Sequence, residues 1–169
     1  PAVTAATVTN RKAFTYFTGD KGEEIADYTV TYKTGTSNIK NTSVNFYGTG
    51  LRASSPSVTS DDAMKISVVY RDLLSADALA AIVDPNSGSS GNKFYNRQSM
   101  TYFVGSKGEE KANYSQSYRS DGSTVSSTSI SFYDSASGTV RASQAGLDDR
   151  LLRQDTYRWG VPGSEDVST

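Results

Sequence analysis

The chain has 169 residues, a formal net charge of −1 and interspersed signs, which disfavours nucleic acid as a partner. It contains no cysteine and no histidine, so disulfides, thiolate metal sites and the commonest general base are excluded. Apolar residues make up 36% of it, and no run approaches the roughly 18 residues of a membrane span. We therefore expect no cofactor, no membrane span and no enzyme activity.

The first ten residues, PAVTAATVTN, are small, uncharged and rich in Val and Thr. Two interpretations stay open for this segment. It is either a mobile terminus or linker, or an extended strand that completes the sheet of a neighbouring copy. In the second case Val3 and Val8 are candidate assembly residues.

A duplicated stretch organises the rest of the chain. The sequence TYFTGDKGEE at residues 15–24 returns as TYFVGSKGEE at 101–110, an offset of about 86 residues. Between residues 14–47 and 100–133, about 16 of 34 positions are identical. This repeat predicts an all-β protein with two tandem antiparallel β-sheet units. The predicted units are 1–83 and 92–169, with a Pro/Ser/Gly-rich linker at 84–91.

Alternation of apolar and polar residues predicts strands at about 12–18, 23–33, 38–47 and 64–71 in the first unit. In the second strand the pattern places Asp27 on the solvent face. The third strand carries the clearest core set, which in the two units comprises Thr42, Val44, Phe46, Thr128, Ile130 and Phe132. Asn45 and Ser131 are expected to face outward. A helical pattern at 72–83, with Ser75 or Asp72 as the cap, predicts one short linking helix.

The last strand of the second unit, at about 151–159, differs from its counterpart. Arg153 and Asp155 stand where the first unit has Ile66 and Val68. Charged residues at these positions indicate an edge strand or a surface that contacts another molecule. The candidate assembly residues on this strand are Leu151, Tyr157 and Trp159.

Four tyrosines, Tyr28, Tyr32, Tyr114 and Tyr118, form a predicted aromatic face on the second strand of each unit. Such a face can stack on sugars, but packing within and between sheets is the favoured interpretation. We therefore keep glycans as an alternative partner rather than the expected one.

Acidic doublets recur in register at 23–24 and 109–110, and again at 61–62 and 148–149. Solvated turn residues are the favoured interpretation, with a structural calcium ion at the aspartate doublets as the alternative. Arg52 and Arg141 also occupy matching positions. We expect them either to pair with Glu24 or Glu110 across strands, or to be solvated.

A unit of a Tyr-containing strand followed by a Gly-bearing turn appears at 102–108, at 118–122 and at 133–138, where Tyr133-Asp134 precedes Gly138. This unit resembles the tyrosine-and-glycine hairpins of YD-repeat (Rhs-like) proteins of bacterial surfaces. The resemblance implies an extracellular structural sheet built from successive hairpins, and no catalytic residue.

These features predict a structural, self-associating protein at the cell surface or outside the cell. It would be a filament subunit or a repeat segment of a giant surface protein, with further copies of itself as partners through β-strand edges. The alternative is a carbohydrate-binding or receptor-binding fibre or adhesin module.

Overall fold

The computed structural model describes residues 11–71, 75–85 and 96–167. These residues form one antiparallel sheet of ten strands and one short α-helix. The first five strands are β1 (Ala13–Thr18), β2 (Ile25–Tyr32), β3 (Ile39–Tyr47), β4 (Leu51–Arg52) and β5 (Met64–Arg71). After the helix α1 (Ala76–Ala80) come β6 (Arg97–Val104), β7 (Lys111–Tyr118), β8 (Val125–Ser135), β9 (Gly138–Arg141) and β10 (Arg150–Arg158).

The strands follow one another across the sheet in the order β1-β2-β3-β5-β6-β7-β8-β10. The two short strands lie off this path, because β4 pairs with the end of β3 and β9 pairs with the end of β8. The all-β, antiparallel fold with one short helix is therefore confirmed. Pairing of β5 with β6 places the strands of both halves in a single sheet.

The two halves use the same pairing pattern. The β1–β2 register breaks between Tyr16 and Phe17, and the β6–β7 register breaks 86 residues later, between Tyr102 and Phe103. Such breaks are β-bulges, where one strand has an extra residue. The β2–β3 and β7–β8 pairs also break at matching positions, as do β3–β5 and β8–β10.

The turns that follow β1 and β6 are also alike. Gly19 has a φ of +112° and Gly105 a φ of +117°, a region that other residues rarely adopt. A Cβ atom at either glycine would lie within 2.6 Å of a backbone oxygen, that of Glu23 or Glu109. Both turns therefore require glycine for the same two reasons.

One face of the sheet forms the core. Its central row crosses five strands through side chains that are at most 1% exposed: Val44, Val68, Met100, Gln116 and Thr128. Directly paired residues share a face, so this row is continuous. The predicted core residues of β3 are fully buried, and of their β8 counterparts Thr128 and Ile130 are buried whereas Phe132 is half-buried.

The helix α1 covers the first half of this face. Ser75 caps it, because its Oγ accepts a hydrogen bond from the backbone N–H of Ala78. Leu79 and Ile82 then pack against Val44 and Val68 in one apolar cluster. The helix is shorter than the predicted 72–83, and residues 72–74, including the alternative cap Asp72, lie outside the described residues.

The C-terminal segment, residues 160–167 after β10, covers the second half of the core face. Gln116 is fully buried, and its side chain donates to the carbonyls of Val161 and Ser164 and accepts from the N–H of Gly163. At the matching position the first half has Val30, which is 1% exposed. In the first half, apolar side chains of the helix cover the sheet, and an apolar Val30 suits them. In the second half, backbone N–H and C=O groups cover the sheet, and the Gln116 side chain supplies the hydrogen bonds that they need.

The opposite face is lined largely by Ser, Thr and Asn. Hydroxyl groups of Thr15 and Thr29 lie 2.9 Å apart, and the Ser67 hydroxyl donates to the Asn45 side chain. The prediction that Ser131 faces solvent is wrong. Ser131 is fully buried, and its hydroxyl accepts a hydrogen bond from Gln154 of the neighbouring strand.

Within the described part of the chain, the helix is far too short and insufficiently apolar to cross a membrane.

Candidate assembly edges

The outermost strands of the sheet each have an open edge. Within the described residues, β1 pairs with β2 alone and β10 pairs with β8 alone. An open edge carries unpaired N–H and C=O groups that favour the addition of another strand. The nine-residue β10 confirms the expectation of an edge strand at this end of the chain.

Large exposed apolar side chains occur at both edges. On β1, Tyr16 is 52% exposed and Phe17 61%; on β10, Leu151 is 51% exposed and Leu152 47%. Tyr157, also on β10, is exposed as well. Soluble proteins usually protect an edge strand with charge, proline or a covering segment. Apolar groups on an open edge therefore indicate a contact surface.

The junction between β5 and β6 shows how the two halves of this sheet meet. The strands are antiparallel, with Ser67 opposite Thr101 and Val68 opposite Met100. Val68 and Met100 are at most 1% exposed. The junction is thus an antiparallel contact of five residue pairs with one register break, and its central pair on the core face is apolar and buried.

Each strand of this inner junction corresponds to one of the open strands. Tyr102 pairs with Tyr114 as Tyr16 pairs with Tyr28, so β6 corresponds to β1 at an offset of 86. Val44 pairs with Val68 as Ile130 pairs with Asp155, so β5 corresponds to β10 at an offset of 87. The open edge of β10 therefore corresponds to the edge of β5 that meets β6.

Polar contacts close the inner junction at both ends. At one end a carboxylate oxygen of Glu110 accepts from the backbone N–H of Met64, at 3.0 Å. At the other end Arg71 donates to backbone carbonyls of β6 and of the residues that end β7. The counterparts Glu24 and Arg158 are both exposed, one beside each open edge.

The predicted assembly residues fall into two groups. Val3 and Val8 lie outside the described residues, as does the rest of the segment 1–10. Leu151 and Tyr157 lie on β10, and Trp159 follows it. Trp159 has a φ of +71°, and its indole ring stacks on the guanidinium of Arg119 at 4.7 Å. It thus turns the chain out of the sheet and into the segment that covers the core face.

The tyrosines of the predicted aromatic face differ between the halves. Tyr114 and Tyr118 are 7% and 4% exposed, and burial raises the pKa of each to about 12. Tyr114 stacks on Tyr102 with ring centroids 4.2 Å apart. Tyr28 and Tyr32 are only half-buried. The second-half rings are therefore packing residues with little surface left for a ligand.

The predicted partner of Arg52 is wrong. Its guanidinium pairs with both carboxylate oxygens of Asp27, each at 2.7 Å, and also donates to the carbonyl of Leu79. Asp27 was expected on the solvent face but is 6% exposed, because it is the extra residue of the β1–β2 bulge, between the paired residues Ala26 and Tyr28, and turns to the core face. Burial of both charges is tolerated because the pair is bidentate.

Arg141 likewise pairs with neither Glu24 nor Glu110. It donates to the Asn113 side chain at 2.8 Å and to Glu165 at 2.5 Å. Asn113 occupies the position that corresponds to Asp27. The anionic partner in the second half therefore comes from the C-terminal segment, which lies over this part of the sheet.

The aspartate doublets lie in loops. Asp62 accepts hydrogen bonds from the N–H and hydroxyl of Thr59, and Asp149 accepts one from the N–H of Gly146. These contacts stabilise turns in the manner of capping carboxylates. Nowhere among the described residues do three or more acidic side chains gather in a way that would hold a metal ion.

Sequence reasoning missed Arg71 and Arg158 as functional candidates. The signal was present, because the pair Tyr-Arg occurs at 70–71 and again at 157–158, at the end of the last strand of each half. The other residues of these two last strands differ, and this obscures the match between the two Tyr-Arg pairs.

Comparisons with protein families, with curated proteins and with solved structures found no match to this chain.

Proposed function

We propose that the protein is a structural, self-associating subunit whose sheet continues from β10 of one copy into β1 of the next. One observation carries this proposal: the open edges correspond strand for strand to the inner junction between β5 and β6. The chain already forms this contact once within itself. Repetition between copies needs no new kind of strand pairing.

The inner junction fixes the register of the proposed contact. At the inner junction Ser67 lies opposite Thr101. Their counterparts, at offsets of 87 and 86 residues, are Gln154 and Thr15, so Gln154 would lie opposite Thr15 of the next copy. All four residues lie on the polar face of the sheet. A shift by one residue would move the polar set of one strand to the core face, so the register is strongly specified.

Side chains at the open edges are complementary in this register. When this register is extended by one residue pair, the exposed Leu152 lies opposite the exposed Phe17 of the next copy. Arg153 lies opposite Tyr16, where a guanidinium beside an aromatic ring adds a cation–π contact. Burial of Leu152 alone would contribute about 1.5–3 kcal/mol to association.

Glu24 supplies a polar contact at one end of the proposed junction. Main-chain N–H groups of Glu24 and Gly22 lower the pKa of its carboxyl group, which favours the ionised form that accepts hydrogen bonds. Glu110 accepts from Met64, whose counterpart on β10 is Leu151. Glu24 would therefore accept from the backbone N–H of Leu151 of the neighbouring copy.

The two edges differ from each other, so the contact is head-to-tail rather than two-fold symmetric. Repeated head-to-tail contacts that do not close into a ring produce a filament. We place this filament outside the cell or at its surface, supported by the cysteine-free, Ser/Thr/Tyr-rich composition and the resemblance to YD-repeat hairpins. Antibody labelling of intact source cells tests the location, and labelling that requires permeabilised cells would contradict it.

Sedimentation velocity over a range of protein concentrations tests the assembly. We expect the wild-type chain to form linear oligomers that grow with concentration. Leu152→Lys should weaken association about 10- to 100-fold, because it removes an apolar contact and places a charge at the edge. Phe17→Glu should weaken it similarly.

A charge swap and a matched control make this test specific. Phe17→Glu and Leu152→Lys combined in one chain should assemble better than either variant alone, because opposite charges then face each other across the junction. Val83→Lys is the control, since Val83 is 55% exposed but its carbonyl accepts from Arg52 of β4, which pairs with the interior strand β3. A wild-type chain that stays monomeric at every concentration would refute the proposal.

A further inference from the structure

Arg71 closes one end of the inner junction through backbone oxygens. Its guanidinium donates to the carbonyl of Arg97 at 2.7 Å, to that of Tyr118 at 2.8 Å and to that of Arg119 at 3.3 Å. These carbonyls belong to the start of β6 and the end of β7. One planar side chain thus links three strands, because its donors point in several fixed directions.

Arg158 is the counterpart of Arg71 on the open strand. Asn41 pairs with Arg71 as Ser127 pairs with Arg158, at offsets of 86 and 87 residues. The side chain of Arg158 is exposed, and the described residues offer it no hydrogen bond or ion pair. The chain therefore repeats the donor at an edge where its acceptors are missing.

The matching acceptors lie at the other end of the molecule, beside a cavity. Residues 11, 32 and 33 correspond to Arg97, Tyr118 and Arg119. A cavity of about 470 Å³ opens there. Its lining residues are Arg11, Lys12, Tyr32, Lys33, Thr34 and Gly35. In the inner junction the equivalent space receives the guanidinium of Arg71.

We propose that this cavity is a binding site for the Arg158 side chain of a second copy. The guanidinium donates to the backbone carbonyls of Arg11 and Tyr32, as Arg71 donates to those of Arg97 and Tyr118, whereas the carbonyl of Lys33 already accepts two hydrogen bonds from Thr36. This inference rests on the proposed function, because it specifies one contact of the edge-to-edge junction. It adds a pocket and an occupant that strand pairing alone does not require.

Two of the three positive charges that line the cavity have counterparts beside Arg71. Arg11 and Lys33 correspond to Arg97 and Arg119, whereas Lys12 corresponds to the neutral Gln98. In both places the guanidinium meets carbonyl oxygens, whose partial negative charges it approaches directly. Tyr157, which precedes Arg158, would then lie opposite Arg11, as Tyr70 lies opposite Arg97.

Association of Arg158 variants, measured by sedimentation velocity, tests the pocket. Arg158→Ala should lower the association constant about 30-fold, because both charge-assisted hydrogen bonds are lost together. Arg158→Lys should restore only part of this, since an ammonium lacks the planar, fixed arrangement of donors with which a guanidinium reaches two carbonyls at once. Arg150→Ala is the matched control, because Arg150 pairs with Asp134 within its own copy and has Ala63 as its counterpart.

The receiving side offers a second, independent variant. Thr34 lies in an exposed turn that lines the cavity, so Thr34→Trp should fill the space without disturbing the core. It should weaken association to a similar degree as Arg158→Ala. The double variant should be little weaker than either single one, because both remove the same contact.

The outcomes separate the pocket from the proposed function. If wild type assembles and Arg158→Ala assembles equally well, the pocket is wrong while the edge contact stands. If Lys replaces Arg at position 158 without loss, the guanidinium assignment is wrong. If wild type does not assemble at all, both proposals fail. Thermal unfolding of each variant checks that the fold is intact.

Discussion

The inner junction and the open edges share one backbone plan but carry different side chains. At the inner junction, Ile66 and Val68 face Tyr102 and Met100, and the contact is sealed on the core face. On β10 the matching positions hold Arg153 and Asp155, which form an ion pair at 3.0 Å. The inner contact buries apolar side chains, whereas the open strand β10 carries charges that disfavour indiscriminate strand addition.

In the proposed assembly, this difference would allow the chain to repeat a contact without general aggregation. Charges on an edge strand oppose pairing with arbitrary strands, because most partners would leave a charge desolvated. The retained features, Glu24 at one end and Tyr157 with Arg158 at the other, favour one partner in one register. In the proposed assembly, selectivity and self-association would therefore come from different residues of the same two strands.

Removal of the Arg71 side chain from the inner junction gives the largest expected effect. Arg71→Ala should lower the free energy of unfolding by about 3 kcal/mol, because two part-buried carbonyls and one exposed carbonyl lose a charged donor. Arg158→Ala should change it by less than about 0.5 kcal/mol, since its side chain is exposed in a single copy. Chemical denaturation measures both, in a Leu152→Lys background that keeps the chain monomeric.

Equal stability losses for the two variants would contradict the comparison, because Arg158 would then have contacts within its own chain. An Arg71→Ala variant as stable as its parent would show that strand pairing alone holds the inner junction.

High pH gives a smaller effect, and Tyr70 reports its part at the inner junction. Burial raises the pKa of Tyr70 to about 12, from about 10 in the unfolded chain. The unfolded chain therefore loses this proton first, so stability is complete below pH 10 and falls as the pH rises from 10 to 12. Over this range, wild type should lose about 2 kcal/mol more than Tyr70→Phe.

Denaturation at a series of pH values, again in the monomeric background, measures this difference. Parallel losses in wild type and Tyr70→Phe would indicate that water reaches the inner junction and that it is not sealed.

Much of the fold could be predicted because its signals are local. Alternating residues fixed the strands to within about two positions, and β5 at 64–71 was predicted with its bounds correct. Ser75 was one of two predicted caps, and it is the one observed among the described residues. These features depend on neighbouring residues, which a sequence displays directly.

The mistakes concern contacts between distant segments. Asp27 has the polar phase in the sequence, but the β1–β2 bulge turns it to the core face, where it pairs with Arg52. Ser131 is buried because β10 lies beside it and contributes Gln154. Alternation along one strand reveals neither a bulge nor what packs on either face, so both residues are predicted to face solvent.

The candidate site was predicted only in part, for a related reason. Exposure of β10 followed from its charged residues, but the match between its edge and that of β5 needs the order of strands in the sheet. That order places β5 next to β6, and only then can the open edges be compared strand for strand with the inner junction. Predictions for Val3 and Val8 concern residues outside those described.

Disulfide cross-linking between copies tests the central claim most directly, because the natural chain has no cysteine. Thr15→Cys and Gln154→Cys are made as separate proteins and mixed under mild oxidation. We predict a covalent dimer in the mixture and none in either protein alone, because the proposed register brings these two Cβ atoms to about 4.5–5.5 Å. Thr15→Cys mixed with Thr156→Cys, two residues out of register, should react far more slowly. Dimers of Thr15→Cys with itself, or equal reaction with both partners, would contradict the account.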